Sequence, residues 1–170
     1  LRGENQTSYA AYLNCGDFTV LSQSRTCLMK VNADNIKMSP TKGSSAKLAA
    51  KDQDGHALDR LRYDDEIQSS HRYMVADVMK NLDSVCDPKS IEASSVAHIE
   101  SDSKAHHLVS SVVGVRNKEA DILDCLLAVL PSFSDGRLAP VISKIEGAAR
   151  NVYTGTIGFI SCNGLAEFNS

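Results

Sequence analysis

From about His56 to Leu82 the chain has a helical pattern, and its second half is the clearest. Met74, Val75, Val78, Met79 and Leu82 recur at offsets of three and four and form one stripe. Such a stripe must lie against another apolar surface. Asp87-Pro88 ends the pattern. The first third differs in character. Tyr9-Ala10-Ala11-Tyr12-Leu13, Phe18-Thr19-Val20-Leu21, Cys27-Leu28-Met29-Lys30-Val31 and Ile36-Lys37-Met38 read as short strands, with turns at Asn14–Asp17 and Asn32–Asn35. A helix carrying an apolar stripe and strands that precede it in a block point to an α+β domain, in which strands and helices do not alternate regularly.

The rest of the chain extends that pattern. Thr41 to Gly55 is polar and rich in small residues, and reads as a loop. Ser90 to Val96 and His106 to Val115 are two further strands. Glu119 to Leu130 is a second helix, with Ile122, Leu123, Leu126, Leu127 and Leu130 on one face, stopped by Pro131. A third helix spans Arg137 to Ala149, with Pro140 in its first turn. A strand from Val152 to Ser161, a turn at Cys162-Asn163-Gly164 and a last strand running to Ser170 form a hairpin.

With 170 residues the chain can build one real core. A formal charge of −3 leaves no basic surface suited to tracking a phosphate backbone. Leu126 to Leu130, the most apolar run, is far too short to span a bilayer. The opening Leu1-Arg2-Gly3-Glu4 has no signal-peptide pattern, so a cytoplasmic location is expected. The cysteines number five, are widely spaced and include no C-x-x-C, which argues against a disulfide framework or a zinc site.

Short motifs carry the reading further. Val20–Ser24 followed by Met38-Ser39-Pro40-Thr41-Lys42-Gly43-Ser44 resembles the lSxSPE…P-I-K-G-T segment of chorismate-utilising enzymes. His71 to Asn81 is similar to their E-x-L-M-I-V-D-L-x-R-N helix, and Ala105 to Ser110 to V-x-H-L-V-S. Asn151 to Phe159 resembles R-x-x-Y-x-G-x-I-G-Y, and Gly164 to Asn169 the run leading into A-I-R-T. Each match alone is weak; five in the same order across nearly the whole chain are specific. The resemblance implies a mixed α+β fold with large antiparallel sheets, of which residues 1–170 would form a partial chorismate-binding domain, the middle to late part of a longer catalytic region.

Within that family the pattern is closest to component I of aminodeoxychorismate synthase, because Lys42 stands where anthranilate synthase usually carries Ala. The resemblance implies a reaction of chorismate with ammonia to give 4-amino-4-deoxychorismate, on the route to folate. It also implies Mg²⁺ as cofactor and a glutamine amidotransferase as ammonia-supplying partner. Lys42 is the candidate nucleophile, since a neutral amine can attack the ring and hold it covalently. His107 is the candidate acid for the departing hydroxyl. Tyr153, Gly155 and Gly43 are candidate substrate-binding positions. The plainer readings are a solvated lysine in a Gly/Ser loop, a strand histidine satisfied by a neighbour, and an ordinary buried strand around Tyr153. His107 shares a strand face with Val109 and Val113 and would be the inward histidine, with His106 outward, if that face is buried.

The chain also departs from the family pattern. His71 stands at the family's Mg²⁺-binding Glu, and imidazole is a poor substitute for an oxygen ligand of Mg²⁺. The remaining acidic ligands would lie beyond Ser170. Arg25 and Thr26 replace the Pro and Glu of S-P-E, and the S-x-T-G-A-P-K loop is missing near Leu130–Ser134. Losses at polar positions, with apolar stripes kept, imply incomplete chemistry in this chain. Anthranilate synthase component I and a non-catalytic remnant acting as a binding module are the competing readings; an unrelated α+β domain is the remaining one.

Overall fold

The computed structural model describes residues 9–130, 139–148, 150–153 and 155–169. The chain runs β1 (Tyr9–Asn14), β2 (Thr19–Ser24), β3 (Cys27–Val31), β4 (Asn35–Met38), β5 (Thr41–Ala46), α1 (Lys51–Tyr63), α2 (Asp65–Leu82), β6 (Glu92–Ser101), β7 (Ala105–Val115), α3 (Ile122–Val129), α4 (Ala139–Glu146), β8 (Ile157–Ile160) and β9 (Ala166–Asn169). β1 and β2 form a separate two-stranded ribbon. The other strands form a seven-stranded sheet in the order β5-β7-β4-β3-β9-β8, with β6 on the free side of β7. Every pairing is antiparallel. The α+β expectation therefore holds.

Helices cover one face of the sheet. Met29, Val31, Ile36, Met38, Val112, Ala166 and Phe168 project from it onto Val75, Val78 and Leu82 of α2, with Cys125 and Val129 of α3 closing the side. The stripe read from α2 is this contact. Removing such side chains from water stabilises by roughly 1.5–3 kcal/mol each.

β4 and β5 behave as one long strand along β7. Asn35 to Thr41 pair with Val115 to Val109, the partner numbers adding to one constant value, and the register then slips by one before Ser44↔His107. Lys42 and Gly43 together oppose Leu108, which is a β-bulge. Gly43 sits at φ +101°, a conformation that disfavours any side chain.

Several sequence expectations need correction. Thr41–Ala46 is a strand and Lys51 already helical, where a loop to Gly55 was expected. β5 lacks apolar alternation because its half-exposed residues are held by pairing to β7 rather than by burial of a greasy face. The single helix from His56 is two, split at Asp64. The Asp64 carboxylate accepts from Glu66 N–H and Ile67 N–H, both at 3.1 Å, and caps α2. The strand expected to end at Val96 runs on to Ser101. The strand expected from Val152 begins at Ile157; Asn151–Tyr153 is a turn, and Thr154 lies outside the described residues. Arg137, Leu138 and Ala149 of the third expected helix, Leu1–Ser8, Pro131–Ser134 and Ser170 also lie outside them. Gly164, at φ +81°, makes the Asn-Gly turn between β8 and β9. Among the described residues no helix is long and apolar enough to cross a membrane.

Candidate functional site

The bulge between β4 and the end of β5 carries the first candidate. Its irregular backbone turns the Lys42 carbonyl toward α2, where His71 Nδ1–H donates to it at 2.9 Å. Lys42 itself is exposed. It borders a shallow cleft of about 260 Å³ with Gly43, Arg60, Asp64, Ile67 and Ser70. Gly43 is needed for a second reason besides its φ: a Cβ there would stand 2.9 Å from Ile67 Cγ2. The Gly43 position is thus explained by packing under α2.

Next along β5, Ser44 pairs with His107 on β7, and their side chains meet at 2.7 Å between Ser44 Oγ and His107 Nδ1. On its other side His107 Nε2 lies 3.4 Å from Asp102 Oδ2. That is an ion-pair distance, and Nε2 makes no hydrogen bond. Arg25 Nε also faces Asp102 Oδ2, at 3.5 Å. Asp102 further accepts from Lys104 N–H and Ala105 N–H. Those two backbone donors, more than its ionic neighbours, hold its carboxyl below the ordinary range. Burial, seconded by Arg25, pushes the His107 imidazole below its usual pKa. A neutral imidazole touching a serine hydroxyl can give or take a proton near neutral pH.

The orientation expected of the two adjacent histidines is reversed. His106 points into the helix-covered side and is 3% exposed, while His107 is only partly covered. The reason is that α1 lies over the face of His106. Asp54 of α1 binds His106 Nε2 at 3.0 Å, and Ser101 Oγ meets its Nδ1 at 2.6 Å. Asp54 also accepts from Leu48 N–H, which is the larger cause of its lowered pKa.

His71 is wholly buried. Its Nε2 is 2.7 Å from Ser110 Oγ, which in turn accepts from Ala97 N–H at 2.9 Å. Both imidazole nitrogens are thereby taken. Among the described residues no three His, Cys, Asp or Glu side chains converge as a metal site would need. The partners of His71 are a carbonyl and a hydroxyl, without the carboxylates that Mg²⁺ favours, so the residues present do not fit that ion.

Lys42 and Gly43 lie on β5 beside the His107 strand β7, but Lys42 borders the cleft under α1 and α2, whereas His107 meets Ser44 on the face away from the helices. Lys42 and His107 share no hydrogen bond or ion pair among the described residues. Tyr153 and Gly155 are elsewhere. They precede β8, separated from β7 by β4, β3 and β9. At about 4.8 Å per strand, β8 is roughly 19 Å from β7. Tyr153 is 70% exposed and stacks under the Arg150 guanidinium, 5.7 Å from the ring centre. Gly155 N–H donates to Val152 O at 3.1 Å, closing the turn. Sequence reasoning passed over Ser44, Asp102, Asp54 and Ser110. Ser44 and Ser110 stood inside quoted motifs; Asp54 and Asp102 did not, and only the folded structure brings them to His106 and His107.

Comparison with known proteins agrees with this arrangement of elements. A family model described as chorismate binding enzyme matches residues 1–169. The chain is 26% identical to the chloroplastic aminodeoxychorismate synthase of Arabidopsis thaliana over 178 residues, covering 99% of this chain and 19% of that protein. It is 28% identical to anthranilate synthase component 1 of Saccharomyces cerevisiae over 175 residues, covering 99% and 34%. The chain thus spans about a fifth to a third of these two relatives. Anthranilate synthase component I from Streptococcus pneumoniae TIGR4 superposes with a TM-score of 0.80 at 23% identity, over 98% of this chain and 38% of that one. The menaquinone-specific isochorismate synthase MenF from Escherichia coli gives 0.76 at 19% identity, over 88% and 35%. These likenesses establish the shared fold. With the sheet order, the α2 stripe and the five ordered motifs lying within one family match that runs from residue 1 to 169, the chain belongs to the chorismate binding enzyme family.

Proposed function

We propose that the chain is the part of an aminodeoxychorismate synthase component I-type enzyme that holds chorismate, with Lys42 as the group that meets the ring. The observation that supports this is the setting of Lys42. Its backbone is pinned through its carbonyl to His71, its side chain is exposed beside a cleft, and the next side chain but one, Ser44, touches His107. A lysine with a pinned backbone and an exposed side chain is placed to meet a ligand in that cleft. The Lys42 amine would add to the ring and give up one proton, as the ring hydroxyl takes up one proton and leaves as water. Ammonia would then displace the lysine, giving 4-amino-4-deoxychorismate and the free amine. In the longer enzyme a glutamine amidotransferase would supply the ammonia. The residues present do not fit Mg²⁺.

A second reading has its own support. The anthranilate synthase relative from yeast is as similar as the aminodeoxychorismate synthase relative. In that case Lys42 is not a nucleophile. A third, the non-catalytic binding module, is favoured by the committed nitrogens of His71. Thermal melts with and without chorismate separate these. A ligand at a hundredfold excess over its dissociation constant adds about 2.7 kcal/mol. We expect an upward shift, and a chorismate-derived mass increase on Lys42 that is absent in Lys42→Ala. A shift without the adduct favours the anthranilate synthase or binding-module reading. No shift in a cooperatively melting chain removes chorismate as the ligand of this portion.

A further inference from the structure

We infer that His71 is a hydrogen-bond node in place of a metal ligand, a single imidazole that fixes two of the bulges flanking β7. The inference goes beyond the proposed substrate and does not depend on it. Three register slips border β7, one with β5 and two with β6, and two of them concern His71. On the β5 side is the Lys42–Gly43 bulge, with Gly43 at φ +101°. On the β6 side the register slips between Ser95 and His98, and Ala97 sits at φ +51°, an unfavourable conformation for a residue with a side chain. A bulge frees backbone groups from the ladder, and buried free groups must find partners.

The freed groups are met by one relay. Ala97 N–H donates to Ser110 Oγ at 2.9 Å, and Ser110 O–H donates to His71 Nε2 at 2.7 Å. His71 Nδ1–H donates to the Lys42 carbonyl at 2.9 Å. Each link runs in the same direction, so the proton inventory closes only with a neutral imidazole protonated on Nδ1. His71 and Ser110 are both fully buried, which strengthens such a chain and makes any broken link costly. A carboxylate at position 71 has no proton to give the Lys42 carbonyl. It would repel that oxygen, so the side chain that serves this relay is unlike the one that would serve a metal.

The node also explains how α2 is held to the sheet away from its apolar stripe. His71 sits one turn before Val75, and through it the helix reaches backbone on both sides of the central strand. His71 is in this sense a positioning residue for Lys42, since it touches the Lys42 backbone and not its amine.

The test uses the whole chain labelled with ¹⁵N at histidine. The imidazole nitrogens report the tautomer directly, and paramagnetic Mn²⁺ as a stand-in for Mg²⁺ reports metal proximity. We expect His71 in the Nδ1–H form, with linewidths unchanged by Mn²⁺. Ser110→Ala should raise amide exchange at Ala97 by about tenfold, the loss of one buried hydrogen bond, and His71→Asn, which keeps a donor near the Lys42 carbonyl, should spare Lys42 and Gly43. A metal-broadened His71, an Nε2–H tautomer, or unaltered exchange at Ala97 in a folded Ser110→Ala chain would each overturn the inference.

Discussion

Gly43 concentrates at one residue the demands that several elements make. It has a left-handed φ, and the space where a Cβ would go is taken by Ile67. Gly43→Ala should therefore cost about 1–3 kcal/mol, read as a lowered midpoint in urea unfolding, while the neighbouring substitution Lys42→Ala should leave the midpoint within about 0.5 kcal/mol of the parent. Equal effects of the two would show that the bulge is not a strained, packed feature. The motif that named Gly43 as a substrate-binding position was legible in the sequence. That the glycine is also required by α2 was not, since Ile67 lies 24 residues on and nothing local connects the two. His71 shows the same limit. Its place on the apolar face of α2 could be read from the offsets to Met74, Val75 and Val78, but its partners Lys42 and Ser110 belong to strands on either side of the helix in sequence.

At the scale of elements, the division of the long helical pattern at Asp64 has a simple cause. Residues 51–63 and 65–82 are each helical by themselves, and Asp64 leaves the helical region to cap the second. Asp64→Ala should destabilise by about 1 kcal/mol and reduce helicity at the start of α2, measured by amide exchange at Glu66 and Ile67, whose N–H groups it accepts. Unchanged protection at those two amides would remove the cap from the account. An aspartate inside a polar stretch is a common residue, and the sequence alone did not distinguish a cap from a solvated side chain. The capping box of α3, where Asp121 and Asp124 exchange bonds with each other's backbone, is a similar signal that periodicity arguments pass over. The strands were found where strand-forming residues run together between turns, and β5 was missed because its residues are small and polar.

For the whole molecule, His71 and His107 shape the pH response. His71 is held below its usual pKa by burial, and His107 by burial and then Arg25. A lowered folded-state value means that the unfolded chain takes up the proton first. This contribution to stability is present above the unfolded value of about 6.5 and is lost as pH falls toward the folded values. The melting temperature should accordingly decline from about pH 8 to about pH 5. The carboxylates Asp54 and Asp102, also depressed, add their own decline only below about pH 4. A melting temperature that is flat or rising as pH falls through 6.5 would show that neither histidine is buried neutral.

What the sequence determined by itself is the class of fold and the family. The stripe on α2, the stripe on α3, the Asn-Gly turn and the order of strands are local patterns, and five motifs in order need no contact map. What only the tertiary structure decided is which groups meet. It turned His106 toward the helices and left His107 with Ser44 and Asp102; it joined His71 to Lys42 and Ser110; and it set Tyr153 and Gly155 across the sheet from both. Strand pairing and helix packing act between residues far apart in the chain. A side chain's hydrogen-bond partners are fixed by register, and a one-residue slip at the Lys42–Gly43 bulge is enough to change them.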